Sequence, residues 1–521
     1  MPISGQPKAA NHQLRALLAM VGVALLLNYV ETMVIPGIPA IQSDFSTPAN
    51  PVSSSTMSWI TSAFLIVGSA VSPLFGKLGD SYGKKRMFLA ALAFYIVGVG
   101  VAGFSNSIYF LIAARAVQGI GFAIVPLALA IIAETFPKER IATAQGVVSA
   151  TFAIGAALGL IIGSYIVQDL GWQWAFHSAF ILSAVLFVVI AMFLPTGTPG
   201  TRLKVDYQTV LLLMAGITLV LLYMTEGPYE GWTSYNLLAL IAGIALTVGF
   251  FVAESRKSNP LIPLHLLRIR NVLVANLSGI ISGMGMFLLF FAVIYYAELK
   301  VPPAPTGLGL DVISTGLSLA PATVLMLVGG PGLGRLVQRR GPKPAMVIGG
   351  LIAIAGFTLF VFNRATVTDV MVDTAISMIG AVGIIIPIVN MISVSLPDDT
   401  VATGLGLNTM LRNMGGAIGP VIATTLMSTY AVTDAIQTPI GPVSMSFPTP
   451  TAFNYIFYLA IACMAAVVVL SLTGKNYVFK KLTEAQGPAS NLISASPAIS
   501  QLPPVQRRLP LPPQRESRPG L

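Results

Sequence analysis

Gly76-Lys77-Leu78-Gly79-Asp80-Ser81-Tyr82-Gly83-Lys84-Lys85, followed by Arg86, stands between two apolar segments and decides the fold. A degenerate copy, Gly334-Arg335-Leu336-Val337-Gln338-Arg339-Arg340-Gly341-Pro342-Lys343, recurs about 258 positions later. Pro73 and Pro331 precede the two copies at the same offset. A basic, glycine-bracketed loop joining two membrane helices, present twice half a chain apart, implies a transporter built from duplicated halves.

Outside these loops charge is scarce. The 521 residues are 55% hydrophobic and only 9% charged, with a mean hydropathy of +0.82. A soluble domain of this length carries far more charge, so the apolar runs read as bilayer-spanning helices. A transmembrane barrel requires alternating polarity over short segments, whereas Leu17–Leu27 and Ile456–Leu470 are continuously apolar. The formal net charge of +10 sits in short loops between apolar runs, so it reports topology and not a nucleic-acid ligand. The single Cys463 lies within an apolar run and leaves no intramolecular disulfide. The first apolar segment lacks an A-x-A cleavage site and reads as an uncleaved span.

Runs of about twenty residues, enough to cross a bilayer, fall at 14–35, 57–75, 87–104, 108–133, 143–166, 176–195, 208–225 and 235–254. Six more lie at 272–297, 311–333, 344–362, 371–394, 404–429 and 452–473, making fourteen. Alternate connections are basic: Lys77 to Arg86, Lys138 and Arg140, Arg202 and Lys204, Arg256 to Arg270, and Arg335 to Lys343. The complementary loops carry little but Lys300 and Arg364, beside acids such as Asp44, Asp169, Glu226 and Glu230. Positive loops stay in the cytoplasm, so both termini are expected there and the count is even. Gly146, Gly155 and Gly159 align with Gly406, Gly415 and Gly419 at an offset of about 260. Segments one to six therefore match nine to fourteen.

The expected fold is an all-α integral membrane protein. Two pseudo-symmetric six-helix bundles (14–195 and 272–473) flank an inserted two-helix hairpin (208–254), with a cytoplasmic N-terminus over 1–13. The link Glu254–Asn271 reads as a cytoplasmic elbow, with His265 as an interfacial loop residue. Residues 483–521, rich in Pro, Ser and Gln, read as a disordered cytoplasmic tail.

The first loop resembles the cytoplasmic loop between the second and third helices of the major facilitator superfamily. The resemblance rests on Gly76, Gly79 and Gly83, the lone acid Asp80, and the cations Lys77, Lys84, Lys85 and Arg86. It implies that Asp80 caps a helix of the opposite half and latches a cytoplasmic gate. The target would be the start of the thirteenth segment near Thr403 and Gly404, where free N–H groups favour an anion. The second copy has Gln338 in place of the acid, ahead of Gly341, so a charged latch is asymmetric. The cations also orient the chain.

In the fourth segment, Arg115-Ala116-Val117-Gln118-Gly119-Ile120-Gly121 resembles the superfamily's fourth-helix motif, associated with proton transfer. An arginine inside a span faces a partner or an aqueous cavity, or else snorkels outward, since Arg115 is roughly 10 Å from the outer end. In the first segment, Glu31 lies about 6–12 Å below the same boundary. Equal depth makes Glu31 and Arg115 natural partners in proton coupling. The fourteen-helix drug:proton antiporter family has a similar segment, with Asp, any residue, Thr and a later Pro. Aligned on Thr32 and Pro39, the family acid falls on Val30. Glu31 is displaced by one residue, about 100° of helix turn.

Gly155, Gly159 and Gly163 give the fifth segment a smooth face. Helix packing alone accounts for such a face, which also resembles the antiporter motif. Leu160 replaces that motif's proline and Ser164 its final glycine, whereas Gly415 and Gly419-Pro420 appear in the second half. Gln118 and Arg412 are candidates to line the cavity, Arg412 with snorkelling as the alternative. Asp311, Asp373 and Glu134 read as boundary residues. Met284, Met286, Phe287, Phe290 and Phe291 read as packing or lipid-facing side chains.

The sequence has no P-loop lysine motif, no metal-spaced His or Cys cluster and no nucleophile–base–acid set. It reads as neither an enzyme nor an ATP-driven pump, and no cofactor is expected. The resemblance, over residues 14 to 473, implies proton-coupled export of amphipathic or cationic small molecules by alternating access. The expected partners are a small-molecule substrate, protons and the lipid bilayer of the cytoplasmic membrane, with the chain acting as a monomer. Two alternatives stay open: a metabolite symporter or facilitator, and a non-transporting scaffold or sensor with the tail as its interaction element.

Overall fold

A bilayer core has no water to satisfy backbone polar groups, so a chain crossing it must bond them within helices or a closed barrel. The computed structural model takes the first course. It describes residues 6–47, 50–136, 138–194, 207–233, 235–257, 260–299, 307–438 and 441–477. Lys300, Arg202, Lys204 and the tail over 483–521 lie outside the described residues.

Helix α1 (Gln6–Met33) leads through the short α2 (Ile38–Phe45) to α3 (Ser54–Tyr82) and α4 (Lys84–Ala102). A broken helix follows: α5 (Ile108–Gly119), a 3-10 stretch (Ile120–Ala123) and α6 (Ile124–Thr135). Then come α7 (Lys138–Leu170), α8 (Trp172–Phe193), α9 (Tyr207–Glu230) and α10 (Asn236–Ser255). The elbow contains a 3-10 turn (Leu264–Arg268) with His265 exposed. The last set is α11 (Arg270–Glu298), α12 (Val312–Arg340), α13 (Pro342–Phe362), α14 (Val367–Ser393), α15 (Asp398–Thr429) and α16 (Pro450–Thr473). Every expected segment falls on a helix. Eleven spans among the described residues are long and apolar enough to cross a membrane.

The all-α expectation needs one correction. Strands β1 (Ala431–Thr438) and β2 (Gly441–Pro448) form an antiparallel hairpin between α15 and α16, with Ala431 opposite Pro448 and Thr438 opposite Gly441. Val432, Thr433, Ile436, Val443 and Phe447 are strand-favouring types in a connection too polar to continue the helix.

Packing between helices is set by missing side chains. Along α13 and α14, Gly349 meets Gly383, Ala353 meets Gly380 and Gly356 meets Ser377, each so closely that a methyl group would collide. Contacts between the first set (α1 to α8) and the last (α11 to α16) concentrate at the end away from the two signature loops. Ser55 bonds Ser428 (3.1 Å), the Ser62 hydroxyl donates to the Ala417 carbonyl (2.7 Å), and Ile313 N–H donates to Gln168 (2.9 Å). The Tyr295 hydroxyl donates to Gln42 (2.9 Å), and α9 joins through Tyr229 to Ser428 (2.9 Å) and Thr425 to the Met224 carbonyl (3.0 Å). At the signature end, Gly76, Gly332, Gly334 and Gly406 have nothing within 4 Å of where a methyl would stand. The hydrogen bonds that join the sets gather at one end, while these four glycines at the other face open space.

Candidate functional site

The glycine row of α7 determines how Glu31 is held. Gly155 abuts the Leu25 carbonyl, Gly159 the Tyr29 carbonyl and Thr32, and Gly163 the backbone of Met33. With no Cβ between them, the two backbones approach until the Thr32 hydroxyl donates across to the Ala156 carbonyl (3.0 Å). Thr32 is buried and Glu31, the next residue back, is half-buried. Where this chain has Leu160 and Ser164, the row also carries the contact with the last set, since Gly316 of α12 rests on the Leu160 carbonyl and Ser164.

Arg115 is 1% exposed and held by three neighbours. Its Nε donates to the Ile60 carbonyl (3.0 Å), one terminal nitrogen donates to Gln118 Oε1 (2.7 Å), and the guanidinium lies 4.2 Å from the centre of the Phe64 ring. These partners exclude snorkelling. Gln118, also buried, faces the hydroxyl of neighbouring Tyr95, although among the described residues neither its Nε2 nor that hydroxyl completes a hydrogen bond of good geometry. Gly119 and Gly121, against the Phe64 carbonyl and the Tyr95 ring, let the broken helix sit this close.

Arg115 and Glu31 make no ion pair within 4 Å among the described residues. Arg115 acts on Glu31 through space, and so does Arg412, the second cation whose charge reaches it. Arg412 belongs to α15, in the last set. Its side chain passes Gly283 of α11, and Gly416, one turn on, touches Leu65 of α3. The α3 stretch from Ile60 to Leu65 thus holds Arg115 on one side and α15 on the other. Arg412 is half-buried in this structure.

In the last set, Gly415 abuts the Ile280 carbonyl, and Gly419, ahead of the buried Pro420, abuts Met284 and Phe287. The row of α15 against α11 repeats that of α7 against α1. Phe287, Phe290 and Phe291 are buried packing residues.

At the signature end, α3 stops at Gly83 (φ 98°) and α12 at Gly341 (φ 88°), a backbone region open chiefly to glycine. Asp80 is largely exposed and lies 3.7 Å from Lys84 of its own loop. Lys84 also pairs with Glu134 at the end of α6. Glu134 is a boundary residue as expected, but its ion pair was not legible, because the partners are 50 residues apart. Lys85 donates to the carbonyls of Ala191 (3.0 Å) and Leu194 (2.5 Å) at the end of α8, while Arg86 and Gln338 face outward. No contact joins Asp80 to Thr403 or Gly404 among the described residues. The expected latch contact is not formed in this structure. Asp311 caps α12 by accepting from Ser314 N–H (2.9 Å), as a boundary acid should. Asp373 is different: it is 1% exposed within α14, because the face it occupies turns inward.

A family model of the Major Facilitator Superfamily matches residues 20–420. The chain belongs to this superfamily. It is therefore a membrane transporter and not an enzyme. Superfamily relatives include the multidrug transporter protein MdtP of Bacillus subtilis, 26% identical over 384 residues (72% of this chain, 69% of that one). The multidrug resistance protein B homolog of Mycobacterium tuberculosis is 26% identical over 82% of this chain and 79% of its own. Two solved superfamily folds are similar: the human organic anion transporter MFSD10 (TM-score 0.55, 18% identity, covering 87% of this chain and 99% of that one) and the nucleoside transporter NupG (TM-score 0.59, 12% identity, 88% and 99%).

Proposed function

We propose that the protein is a fourteen-span, proton-coupled exporter of amphipathic or cationic small molecules, with both termini in the cytoplasm. The observation that carries this reading is Glu31, an interior acid of the first set acted on by Arg115 of its own set and Arg412 of the opposite one. A carboxylate between cations of two moving parts is a coupling element: protonation removes its charge and shifts which arrangement of the sets is favoured. With the signature end cytoplasmic, as the basic loops suggest, the Ser55–Ser428 and Gln42–Tyr295 contacts support reading this arrangement as closed on the outer side. Multidrug-named relatives support an exported, chemically varied substrate.

A substrate enters from the cytoplasm, the sets rock about the α3–α15 and α7–α12 contacts, and a proton arriving from outside at Glu31 resets the cycle. Asp80 re-engages the start of α15 when the cytoplasmic end closes. The segments 14–195 and 272–473 are the rocking bundles and 208–254 the inserted hairpin. The test is substrate-driven proton release from proteoliposomes across a pH series. Wild-type release with export expected, and none in Glu31→Gln, supports the reading; unchanged release in that variant moves coupling elsewhere.

A metabolite symporter is the second reading. Leu160 and Ser164, which stand where the antiporter motif carries proline and glycine, favour it. Proton and substrate moving in the same direction would establish it.

A further inference from the structure

Two acids stand one turn apart near the start of α14, and they are treated differently. Asp369 is fully used: it accepts from Thr366 N–H (2.8 Å) and Asn363 (3.0 Å), and its own N–H donates to the Thr366 hydroxyl (3.2 Å). This capping box holds it at the exposed helix end. Asp373 lies about 6 Å further in, is 1% exposed, and its Oδ2 has no hydrogen-bond partner among the described residues. Beside it, the hydroxyls of Thr374 and Ser377, both buried, are also without partners. Three unsatisfied polar groups on one inward stretch of helix are costly inside a membrane protein.

Among the described residues the surroundings offer no compensating cation. The helices packed against α14 are α11, α12 and α13, with α15 meeting it at the far end, where Gly404 lies against Ile392. Every basic residue of α12 and α13 (Arg335, Arg339, Arg340, Lys343) is at their opposite end, and α11 brings only Tyr295, Tyr296 and Glu298 to this end. The nearest cation in sequence, Arg364, is directed at the Phe360 carbonyl (2.8 Å), the Pro450 carbonyl (3.3 Å) and the rings of Tyr296 and Phe457. The charge that does reach Asp373 is that of Asp369, another acid. Room exists nevertheless: Gly356 makes way for Ser377, which with Ser282, Gly285 and Phe357 lines a small interior cavity.

We propose that Asp373, with the Thr374 and Ser377 hydroxyls, is a proton-binding site of the last helix set, separate from the Glu31 centre and occupied in this conformation. A carboxyl that takes up a proton here loses its charge and gains a donor. The Thr374 and Ser377 hydroxyls, unpartnered in this arrangement, are then available as acceptors for the new donor after a side-chain rotation.

The test uses pH-difference infrared spectroscopy on the full-length protein in lipid, with no substrate added. Wild type and Glu31→Gln are expected to show a protonated-carboxyl band that is lost on alkalinisation. The band disappears in Asp373→Asn and shifts in Thr374→Val and Ser377→Ala, and proton uptake on re-acidification falls by a single proton per chain in Asp373→Asn. Superimposable spectra of wild type and Asp373→Asn overturn the proposal. If that variant does not fold, an unshifted band in both hydroxyl variants overturns it equally. Failure of the export reading looks different: substrate-driven proton release is absent in wild type while the Asp373 band remains.

Discussion

The two signature loops are copies of one device that have kept different parts of it. Both end a helix on a positive-φ glycine, Gly83 and Gly341. Both use a lysine at the same offset to cap the last helix of their set: Lys85 reaches the end of α8, and Lys343 the Leu472 carbonyl (2.7 Å) at the end of α16. The charges then diverge. The first loop has the Asp80–Lys84–Glu134 cluster, whereas the second is held by Asn476, which donates to the Arg340 carbonyl (2.9 Å) and accepts from Lys343 N–H (3.3 Å). Backbone geometry and helix-end capping are demanded by the fold and survive duplication. The ionic cluster, by contrast, is found in the first loop alone among the described residues.

The largest effect that separates the halves should come from their interior charges. Glu31→Gln is expected to abolish pH-driven exchange, a loss of at least about tenfold, or ~1.4 kcal/mol, while leaving substrate binding measurable. Arg115→Ala should fail in transport and also lower stability by about 2–4 kcal/mol, because the Ile60 carbonyl, Gln118 and Phe64 all lose their partner. Arg115→Lys should recover only part, since a point charge replaces the fork. Thermal melts alongside proteoliposome flux check both.

Next are the glycine rows. Gly159→Ala and Gly415→Ala should each cost about 1–3 kcal/mol, the added methyl meeting Thr32 and Tyr29 in one case and the Ile280 carbonyl in the other. Gly406→Ala, facing open space, should be neutral or stabilise slightly, by up to about 1 kcal/mol. Equal melts for all three would break the claimed equivalence of the rows.

Smaller again, Gly83→Ala should destabilise by about 1–2 kcal/mol through its backbone angle. Gly341→Ala should exceed it, since a methyl there also strikes Asn476. The smallest effect is expected at the acid. Asp80→Asn should slow transport by roughly two- to fivefold, the kinetic equivalent of 0.3–1 kcal/mol, with melting unchanged. Gln338→Asp should do nothing comparable. An unaltered rate in Asp80→Asn vesicles removes the latch.

Periodicity and hydropathy made the helices legible, because a span needs only length and apolar content. The glycine spacing foretold a face for close helix approach on α7, repeated on α15, but not that α1 and α11 are the helices that fill them. What stayed hidden depends on azimuth and on distant partners. Asp373 was placed by counting from a helix end, which gives depth but not the direction faced. Arg115 was assigned to Glu31 by depth, whereas its hydrogen bonds go to Ile60 and Gln118. The β1–β2 hairpin was missed because a short polar link carries no membrane period.

The 3-10 stretch Ile120–Ala123 makes the fourth span a screw with two pitches. Each of its residues advances about 120° instead of 100°, so four residues offset α5 from α6 by roughly 80°. Arg115 therefore points nearly a quarter-turn away from the face that a continuous α-helix, extrapolated back from Glu134, would give it. Rewinding those four residues would swing the guanidinium off Ile60 and Phe64 without moving either end of the span along the membrane by more than about 2 Å.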